Sequence, residues 1–328
     1  MDQAYKNLLT KQGYAFVGEH SAVKVCEWTK NSIRGKGACY KNTFYGIDSH
    51  QCVQMSPAVN MCTMDCVYCW RDRNETGFGK SIDDPERIID HSIEAQIDKL
   101  QGFKGLPTAD AQKLKEMESP KHFAISLTGE PTVYPHLSRL IHGLHKRGIT
   151  SFLVTNGQFP DQLERLEKED NLPTQVYLSF DTPDEQTFYK LDRPDLKDAW
   201  QRLMRSVDFL KKVKDKTRTV LRITLVKGIN DNNHEGFAKV IERADPWFLE
   251  IKGYMFVGAS RQRLSIDNMP RHEDAVAFAQ ELSKYCGYKI ISQQPVSRAV
   301  LMMRQDHPDR IMKCDGVKTR FLLQPLVA

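Results

Sequence analysis

The chain has 328 residues, of which 40% are hydrophobic, and its formal net charge is +5 at pH 7. This length suits a βα barrel with attachments, and the mild positive charge permits a polyanionic partner without demanding one. No apolar run approaches a membrane span and the N-terminus has no signal-peptide pattern, so we expect a cytoplasmic protein without a membrane partner.

Helices and strands alternate along most of the sequence. Residues 2–60 have weak periodicity: SIRGKGACYKNTFYG predicts a loop and HQCVQMSPAV a strand. The patterns that follow predict, in order, the helices DDPERIIDHSIEAQIDKLQGF and AQKLKEMES, the strand KHFAISLTGEP, the helix HLSRLIHGLHKRG, the strand TSFLVTNGQ, the helix DQLERLEKED, the strand TQVYLSFD, the helices PDEQTFYKL and LKDAWQRLMRSVDFLKKVK, the strand RTVLRITLVKGIN, the helix NHEGFAKVIERA, the strand WFLEIKGYMFVG, the helix EDAVAFAQELSKYCG and the short strand YKIIS. The tail from Ser297 is mixed and basic.

This alternation predicts parallel strands joined by right-handed crossovers. About six or seven strands indicate an open or partial barrel, whose active residues should lie in the loops after the strands. Polar or reactive clusters occupy those positions at 62–69, 129–130, 156–157, 179–181, 224 and 254–258.

Three cysteines directly follow the first predicted strand of the barrel. Cys62, Cys66 and Cys69 form a C-x3-C-x2-C pattern. Iron–sulfur clusters are held by cysteine thiolates, and three ligands leave one iron open to a substrate or a second cofactor. The spacing, with Tyr68 before the last cysteine, resembles the signature of the radical S-adenosylmethionine (SAM) superfamily. The alternatives are a zinc knuckle and chance spacing.

The superfamily resemblance implies a SAM site around the barrel mouth. In the family the open iron binds the amino and carboxylate groups of SAM, and the reduced cluster cleaves SAM to methionine and a 5′-deoxyadenosyl radical. LTGEP resembles the GE motif, which implies that Glu130 and the Gly129 backbone accept hydrogen bonds from the SAM ammonium. The resemblance of VTNG, SFD, RIT and KGYMFVG adds Asn156, Ser179, Asp181 and Thr224 for the SAM carboxylate and ribose, and Tyr254, Phe256 and Val257 for adenine. The alternatives are a plain turn at Asn156 and a helix cap at Asp181.

A second set of cysteines precedes the motif. Cys26, Cys39 and Cys52 are separated by twelve residues in each interval. One cysteine would suffice as a fourth ligand, and three are present, so we expect a second [4Fe-4S] cluster. A zinc site completed by His50 or His20, and simple burial, are the alternatives.

The two cysteine sets, with GACYKN, SPAV, CVYCWR, SLTGEPT and EIKGYMFVGAS, resemble the archaeal stand-alone tRNA 4-demethylwyosine synthases over essentially the whole chain. The resemblance implies an α/β fold, a partial (β/α)6-type TIM barrel of the radical SAM kind. Residues 1–49 would be an N-terminal extension that contributes ligands of the second cluster, residues 50–295 the barrel, and residues 296–328 a basic C-terminal extension packed on the barrel.

The family resemblance also implies a reaction. N1-methylguanosine, 3′ of the anticodon in tRNA-Phe, is condensed with pyruvate to the tricyclic base 4-demethylwyosine by a radical SAM carbon–carbon lyase. The implied cofactors are two [4Fe-4S] clusters and SAM, with pyruvate as co-substrate. The implied partners are tRNA and an external one-electron donor such as ferredoxin or flavodoxin, and we expect a monomer. The alternatives are another two-cluster radical SAM enzyme, such as an activase or maturase with a non-RNA substrate, and a zinc-stabilised RNA-binding protein.

Lys41, two residues after Cys39, is the expected catalytic residue. An amine can hold pyruvate as a Schiff base, which supplies an electrophilic carbon. Lys36 is the second candidate, and a solvated loop lysine is the alternative.

Several basic stretches are candidates for RNA contact. Trp70 would stack on a base or shield the cluster from water. The basic candidates are KKVKDKTR at 211–218, RQR at 261–263, MMRQDHPDRIMK in the tail, Arg271, Arg298, and Arg71 and Arg73 beside the cluster loop.

Overall fold

The computed structural model describes residues 3–59, 61–71, 78, 81–313, 320 and 322–323, so Arg73 lies outside the described residues. The helices, α1 to α11 in chain order, are Gln3–Lys11, Glu27–Ile33, Tyr40–Tyr45, Pro85–Leu100, Ala111–Glu116, Leu137–Lys146, Pro160–Lys168, Glu185–Leu191, Ala199–Lys212, His234–Ala244 and His272–Leu282. The strands, β1 to β10, are Ala15–Phe16, Ala22–Val23, Cys52–Ser56, His122–Ile125, Thr150–Thr155, Gln175–Ser179, Arg218–Leu225, Phe248–Gly253, Lys289–Gln294 and Ala299–Met303.

All ten strands belong to one mixed sheet in the order β1-β2-β3-β4-β5-β6-β7-β8-β10-β9. The six strands from β3 to β8 run parallel to their neighbours. The outer strands β1, β2, β10 and β9 pair antiparallel. The order is linear, so the parallel strands form an open barrel, and the predicted partial α/β barrel is confirmed. Among the described residues, no helix has the length and apolarity needed to cross a lipid bilayer.

The parallel strands are apolar because both of their faces are covered. Leu153 and Leu249 face outward and join a core that includes Leu140 of α6 and Phe237 of α10. Phe152, Tyr177 and Phe248 point the opposite way and form a separate cluster on the inner face of the barrel. The carboxyl ends of these strands are therefore held on a rigid frame packed from both sides.

The predicted loop SIRGKGACYKNTFYG is wrong in part, because it contains all of α3. Tyr40, Phe44 and Tyr45 of this helix are buried against the inner face of the barrel. A six-residue helix is too short to persist alone, so tertiary packing stabilises it. The helix ends at Gly46, whose φ of +79° is left-handed, a conformation that glycine adopts without strain.

The C-terminal tail is also more regular than its mixed composition predicted. All five residues of β10 are buried, and the strand lies between β8 and β9. Likewise β1 and β2 extend the sheet from β3 on the other side. The divisions at 49/50 and 295/296 stay predictions, and both expected extensions contribute strands to the same sheet.

Candidate active site

A cavity of about 730 Å³ lies at the carboxyl ends of the parallel strands, and we call it the central cavity. Its volume suits a small-molecule site. Most of the SAM-site residues predicted from the sequence line it, namely Cys62, Cys66, Tyr68, Cys69, Gly129, Glu130, Asn156, Ser179, Asp181, Thr224, Tyr254 and Val257. Phe256 packs in a cluster with Tyr254. The structure therefore brings together residues that are up to 195 positions apart, from Cys62 to Val257.

The three-cysteine loop, described at residues 57–59 and 61–71, is held by backbone hydrogen bonds to the last residue of α8 and to the segment after it. The Val67 N–H donates to the Leu191 carbonyl at 2.8 Å, and the Asp65 N–H to the Arg193 carbonyl at 3.1 Å. The Arg263 guanidinium donates to the carbonyl of Val67 at 3.1 Å and to that of Cys69 at 2.5 Å. Arg263, a candidate for RNA contact, thus braces the cysteine loop.

Gly129 allows the loop after β4 to pack directly on the cysteine loop. Its φ is +69°, and a Cβ at this position would lie 1.9 Å from the carbonyl oxygen of Ala58. The next residue, Glu130, donates its N–H to the Met61 carbonyl at 2.6 Å. Any larger residue at 129 would push the two loops apart.

The thiols of Cys62, Cys66 and Cys69 share one wall of the central cavity. Burial raises the pKa of the Cys66 thiol well above its usual value, and the charge of Asp192 raises it further. Burial also raises the pKa of Cys69. Thiolates in such a site need a cationic partner, and iron binding provides one. Within the described residues, no group of three or more His, Cys, Asp or Glu side chains is arranged to hold a metal ion. The fit to a cluster rests on the shared wall and on the donor set.

The Glu130 carboxylate links two loops of the cavity wall, the one after β4 and the one after β5. Its Oε1 accepts hydrogen bonds from the Thr132 N–H at 3.0 Å and from the hydroxyls of Thr132 at 2.5 Å and Thr155 at 2.7 Å. Its Oε2 accepts the Asn156 N–H at 2.7 Å. Burial raises the pKa of Glu130, while these donors oppose the shift. The carboxylate therefore fixes the ends of β4 and β5 relative to each other.

Asn156 connects this carboxylate to the cysteine loop. Its Nδ2 lies 3.6 Å from the Cys62 sulfur and donates to it. Its Oδ1 accepts the Gln158 N–H at 3.1 Å, which fixes the orientation of the amide. The turn alternative describes its backbone, and the side chain also contacts a predicted cluster ligand.

Asp181 and Asp192 are two buried carboxyls that share the hydroxyl of Tyr68. The hydroxyl contacts Asp181 Oδ2 closely and lies 3.1 Å from Asp192 Oδ1. Burial raises the pKa of both carboxyls. One phenolic proton cannot form a hydrogen bond with two carboxylates at once. This group of three side chains therefore favours protonation of one of the two carboxyls. The helix-cap alternative for Asp181 is wrong, because Asp184 caps α8 through the Thr187 N–H at 2.8 Å.

The segment after β8 forms the opposite wall of the central cavity. The Tyr254 hydroxyl donates to Ser260 Oγ at 2.8 Å and is buried. The Phe256 N–H donates to the Met269 sulfur at 3.3 Å. Met255 and Val257 are exposed by 42% and 45%, so they present apolar surface to the mouth of the cavity.

Cys26, Cys39 and Cys52 form a second group, and Cys39 and Cys52 pack against the apolar cluster on the inner face of the barrel. Burial raises the pKa of Cys39 to about 11 and that of Cys52 to about 12, and interaction with Cys26 adds to both shifts. The Lys41 N–H donates to the Cys39 sulfur, and the positive charge of Lys41 lowers the pKa of both thiols. The three thiols are thus within electrostatic reach of one another, and Lys41 is within reach of Cys39 and Cys52.

The two histidines considered for a zinc site have other partners. His50 Nε2 pairs with Glu116 Oε2 at 2.6 Å. His20 Nδ1 contacts the Pro57 carbonyl at 2.6 Å, and its Nε2 accepts the Asp83 N–H at 2.8 Å. These contacts occupy both ring nitrogens of His20 and the Nε2 of His50, so a zinc ion would have to compete for them.

Lys41 points toward the inner face of the barrel. Its Nζ lies 4.6 Å from the ring centre of Tyr177 and 5.8 Å from that of Phe152. Lys36, the second candidate, is exposed.

Sequence reasoning missed three charged residues on the inner face of β7 and β8. Arg222 and Glu250 pair at 3.4 Å, and Lys252 Nζ donates to the Ser297 carbonyl at 2.9 Å. Burial lowers the pKa of Lys252 to about 8, and the charge of Arg222 lowers it further. The available signal was charge at alternate positions of apolar strands, in RTVLRITL and FLEIKG. Asp192 carried no such signal.

The basic run 211–218 lies at the amino end of β7, opposite to the central cavity. Lys212 and Lys216 pair with Glu167, and Lys214 pairs with Asp245 at 2.7 Å. Arg218 is fully buried. The run therefore serves the packing of this end of the barrel.

Family models match most of the chain. A model described as the radical SAM superfamily matches residues 57–241, which is more than half of the chain, and a model described as wyosine base formation matches residues 243–304.

Curated relatives and solved structures agree with these matches. The chain is 48% identical to the S-adenosyl-L-methionine-dependent tRNA 4-demethylwyosine synthase of Pyrococcus abyssi, over 93% of this chain and 90% of the relative. It is 39% identical to the Saccharomyces cerevisiae protein of that name, over 84% of this chain and 34% of that longer protein. A solved TYW1 structure with a lysine–pyruvate adduct superposes with a TM-score of 0.82 at 34% identity, covering 93% of this chain and 96% of that one. An archaeal TYW1 structure gives 0.77 at 32% identity with the same coverage.

Proposed function

The chain belongs to the tRNA 4-demethylwyosine synthase family of radical SAM enzymes, and we propose that it condenses N1-methylguanosine in tRNA-Phe with pyruvate to form 4-demethylwyosine. As a member it depends on SAM and a [4Fe-4S] cluster and acts on tRNA. The proposal adds pyruvate as co-substrate, a second [4Fe-4S] cluster, an external one-electron donor such as ferredoxin or flavodoxin, a cytoplasmic location and a monomeric state.

One observation carries the proposal: three cysteine thiols, Glu130 and Asn156 line one cavity at the carboxyl ends of the parallel strands. When bound at Cys62, Cys66 and Cys69, a reduced cluster supplies the electron that cleaves SAM and so generates the 5′-deoxyadenosyl radical. The exposed Met255 and Val257 at the mouth leave an apolar entry for a base.

The SAM ammonium is held by the loop after β4. Glu130 Oε1 already accepts three hydrogen bonds, whereas Oε2 accepts one from the described residues, the Asn156 N–H. A carboxylate oxygen has capacity for a further donor, so Oε2 and the Gly129 backbone bind the ammonium. The same acidic wall excludes an anion from this position.

The remaining SAM contacts are assigned by position on the cavity wall. Ser179, Asp181 and Thr224 lie at the ends of β6 and β7, and Tyr68 of the cysteine loop contacts Asp181 there. The hydroxyl and carboxyl groups of these four residues bind the ribose and the SAM carboxylate. The Tyr254, Phe256 and Val257 segment covers adenine, because it combines a buried aromatic with exposed apolar side chains.

Cys26, Cys39 and Cys52 hold the second cluster, and Lys41 holds pyruvate as a Schiff base. The support is the electrostatic coupling of the three thiols and the position of Lys41 among them. Lys252 is the competing amine, because it lines the central cavity and its pKa is lowered to about 8. Borohydride trapping with pyruvate separates the two: the reduced adduct should map to the peptide containing Lys41, and a Lys41→Arg variant should lose it. An adduct at Lys252 would overturn the assignment.

The test of the proposed function is direct. The reduced, cluster-loaded protein is incubated with SAM, pyruvate and tRNA-Phe bearing N1-methylguanosine, and the nucleosides are analysed by mass spectrometry. The tricyclic base should appear only when all three are present. Deoxyadenosine without a change in the nucleoside would point to a non-RNA substrate, and stoichiometric zinc in place of iron would exclude radical chemistry.

A further inference from the structure

A second cavity of about 530 Å³ adjoins the central cavity on the side of α1, and we call it the side pocket. Tyr5, Gln12, Lys24, Trp70, Arg71 and Gln262 contribute to its lining, and Trp70 and Arg71 also line the central cavity. The two cavities therefore adjoin at these two residues, which line both of them. A ligand in the central cavity that carries a chain can extend past Trp70 into the side pocket.

Two cations of the side pocket gather around the same aromatic rings. The Arg71 guanidinium stacks 3.3 Å from the Trp70 ring centre and 4.5 Å from that of Tyr14. Lys24 Nζ lies 5.1 Å from the Tyr14 ring centre and 5.7 Å from that of Trp70. Cation–π contacts of this kind fix the positions of the charges but leave hydrogen-bond donors unused.

Two of the three guanidinium nitrogens of Arg71 are buried and unpaired among the described residues. Its Nε and one Nη are shielded from solvent and have no hydrogen-bond partner in the described part of the chain. No Asp or Glu among the described residues lines the side pocket. Placing two like charges together without a carboxylate is unfavourable, so the arrangement has unmet affinity for an anion.

The backbone at Trp70 is fixed by the segment after β8. The Ala259 N–H donates to the Trp70 carbonyl at 2.9 Å. Gly258 has a φ of +61°, and a Cβ there would lie 2.2 Å from the Trp70 carbonyl oxygen. The Trp70 backbone, which directly precedes Arg71, is thus held in the wall between the two cavities.

We propose that Lys24 and Arg71 bind a backbone phosphate of the RNA next to the base that enters the central cavity, with Trp70 against the neighbouring nucleotide. This inference rests on the proposed function, because it takes tRNA as the substrate. A guanidinium binds phosphate through two parallel N–H groups, and an indole ring stacks on bases and sugars of single-stranded RNA. The occupant is a phosphodiester that continues from the inserted nucleotide.

The test pairs single-phosphate neutralisation with substitution of the cations. Anticodon stem-loop RNAs containing N1-methylguanosine are prepared with one methylphosphonate at each phosphate flanking that base. Their Kd for the cluster-loaded protein is measured by fluorescence anisotropy. With the wild-type chain, one methylphosphonate position should weaken binding about tenfold, the loss typical of a charge-assisted hydrogen bond.

The Arg71→Gln and Lys24→Gln variants should each weaken binding of the natural RNA. The same methylphosphonate should then cost little further affinity, and the slope of log Kd against log salt should fall by about 1. Lys11→Gln removes one exposed charge from the end of α1, outside the pocket, and should keep the full methylphosphonate loss. Arg71→Lys keeps the charge, and iron content checks that each variant is folded and loaded.

Equal methylphosphonate losses in the wild type and both Gln variants would overturn the phosphate site, even if the enzyme forms the tricyclic base. The absence of any sensitive flanking phosphate would also overturn it. Failure of the wild-type chain to bind the RNA would refute both the proposed function and this inference.

Discussion

The buried carboxylate of Glu250 on β8 accepts a hydrogen bond from the Tyr40 hydroxyl on α3 at 3.0 Å. It also accepts one from Tyr45 of the same helix at 3.2 Å and pairs with Arg222 at 3.4 Å. Because α3 carries Lys41 and begins directly after Cys39, this carboxylate ties the second cysteine group to the barrel. It is a buried polar anchor of a helix that apolar packing and the Arg310 hydrogen bond to the Phe44 carbonyl at 2.9 Å also hold.

Glu250→Ala should therefore destabilise the fold severely. It leaves the buried hydroxyls of Tyr40 and Tyr45 and the partly buried Arg222 charge without their partner, a loss of about 3–5 kcal/mol in the free energy of unfolding. The measurement is denaturant unfolding of the cluster-loaded protein. Glu242→Gln breaks the exposed pair with Arg304 at 3.0 Å and should cost less than about 1 kcal/mol. Similar losses in both variants would refute the anchoring role.

Asn156→Ala should shift the reduction potential of the cluster at Cys62 to a more negative value. The variant removes the amide that donates to the Cys62 sulfur at 3.6 Å, and hydrogen bonds to sulfur raise the potential of such clusters. A redox titration followed by electron paramagnetic resonance measures the shift. Asn171→Ala, on the outer surface near His142, is the control. An unchanged potential in Asn156→Ala would show that the amide does not tune the cluster.

Tyr68→Phe should weaken SAM binding and lower stability by about 1–3 kcal/mol, because Asp181 and Asp192 lose their common hydrogen-bond partner. Calorimetric titration with SAM gives the affinity, and thermal unfolding gives the stability. Tyr189→Phe removes an exposed hydroxyl that contacts the Lys197 carbonyl at 3.3 Å and serves as the control. If Tyr68→Phe bound SAM with wild-type affinity, the group formed by Tyr68, Asp181 and Asp192 would not be part of the SAM site.

Acid should destabilise the protein partly through His145. Burial lowers the pKa of His145 to about 4 from an ordinary value of 6.5. The unfolded chain therefore takes up the proton first, and the stability falls as the pH drops from about 6.5 to about 4, by at most about 1.4 kcal/mol per pH unit. Unfolding curves across this range should show a smaller slope in His145→Asn, with His142→Asn as the matched exposed control. The same slope in His145→Asn and the wild type would contradict this assignment.

Variants of the two cysteine sets should separate SAM cleavage from formation of the tricyclic base. Cys62→Ala should abolish reductive SAM cleavage, because the cluster loses one of three ligands. Cys39→Ala should still cleave SAM to deoxyadenosine and yet form no tricyclic base. Chromatography of both products measures the split. Base formation by Cys39→Ala would exclude a substrate role for the second cluster.

The barrel was predictable because its strands have long apolar runs and its helices strong periodicity. The C-x3-C-x2-C spacing and the polar residues after each strand likewise identified most of the central cavity. α3 was not predictable, because Tyr40 and Tyr45 find their partner at Glu250, more than 200 positions away. β10 was missed because its short segment becomes a strand through pairing with β8 and β9. Asp192 was missed for the same reason, since only the fold places it beside Tyr68.

The most direct test of the central claim follows the carbon of pyruvate into the tRNA. The cluster-loaded enzyme is supplied with SAM, N1-methylguanosine-bearing tRNA-Phe and pyruvate labelled with 13C either at the carboxyl carbon or at the carbonyl and methyl carbons. Mass spectrometry of the nucleosides should show the tricyclic base with label from the carbonyl and methyl carbons, and without label from the carboxyl carbon. Deoxyadenosine formation with no labelled nucleoside from either pyruvate would contradict the claim.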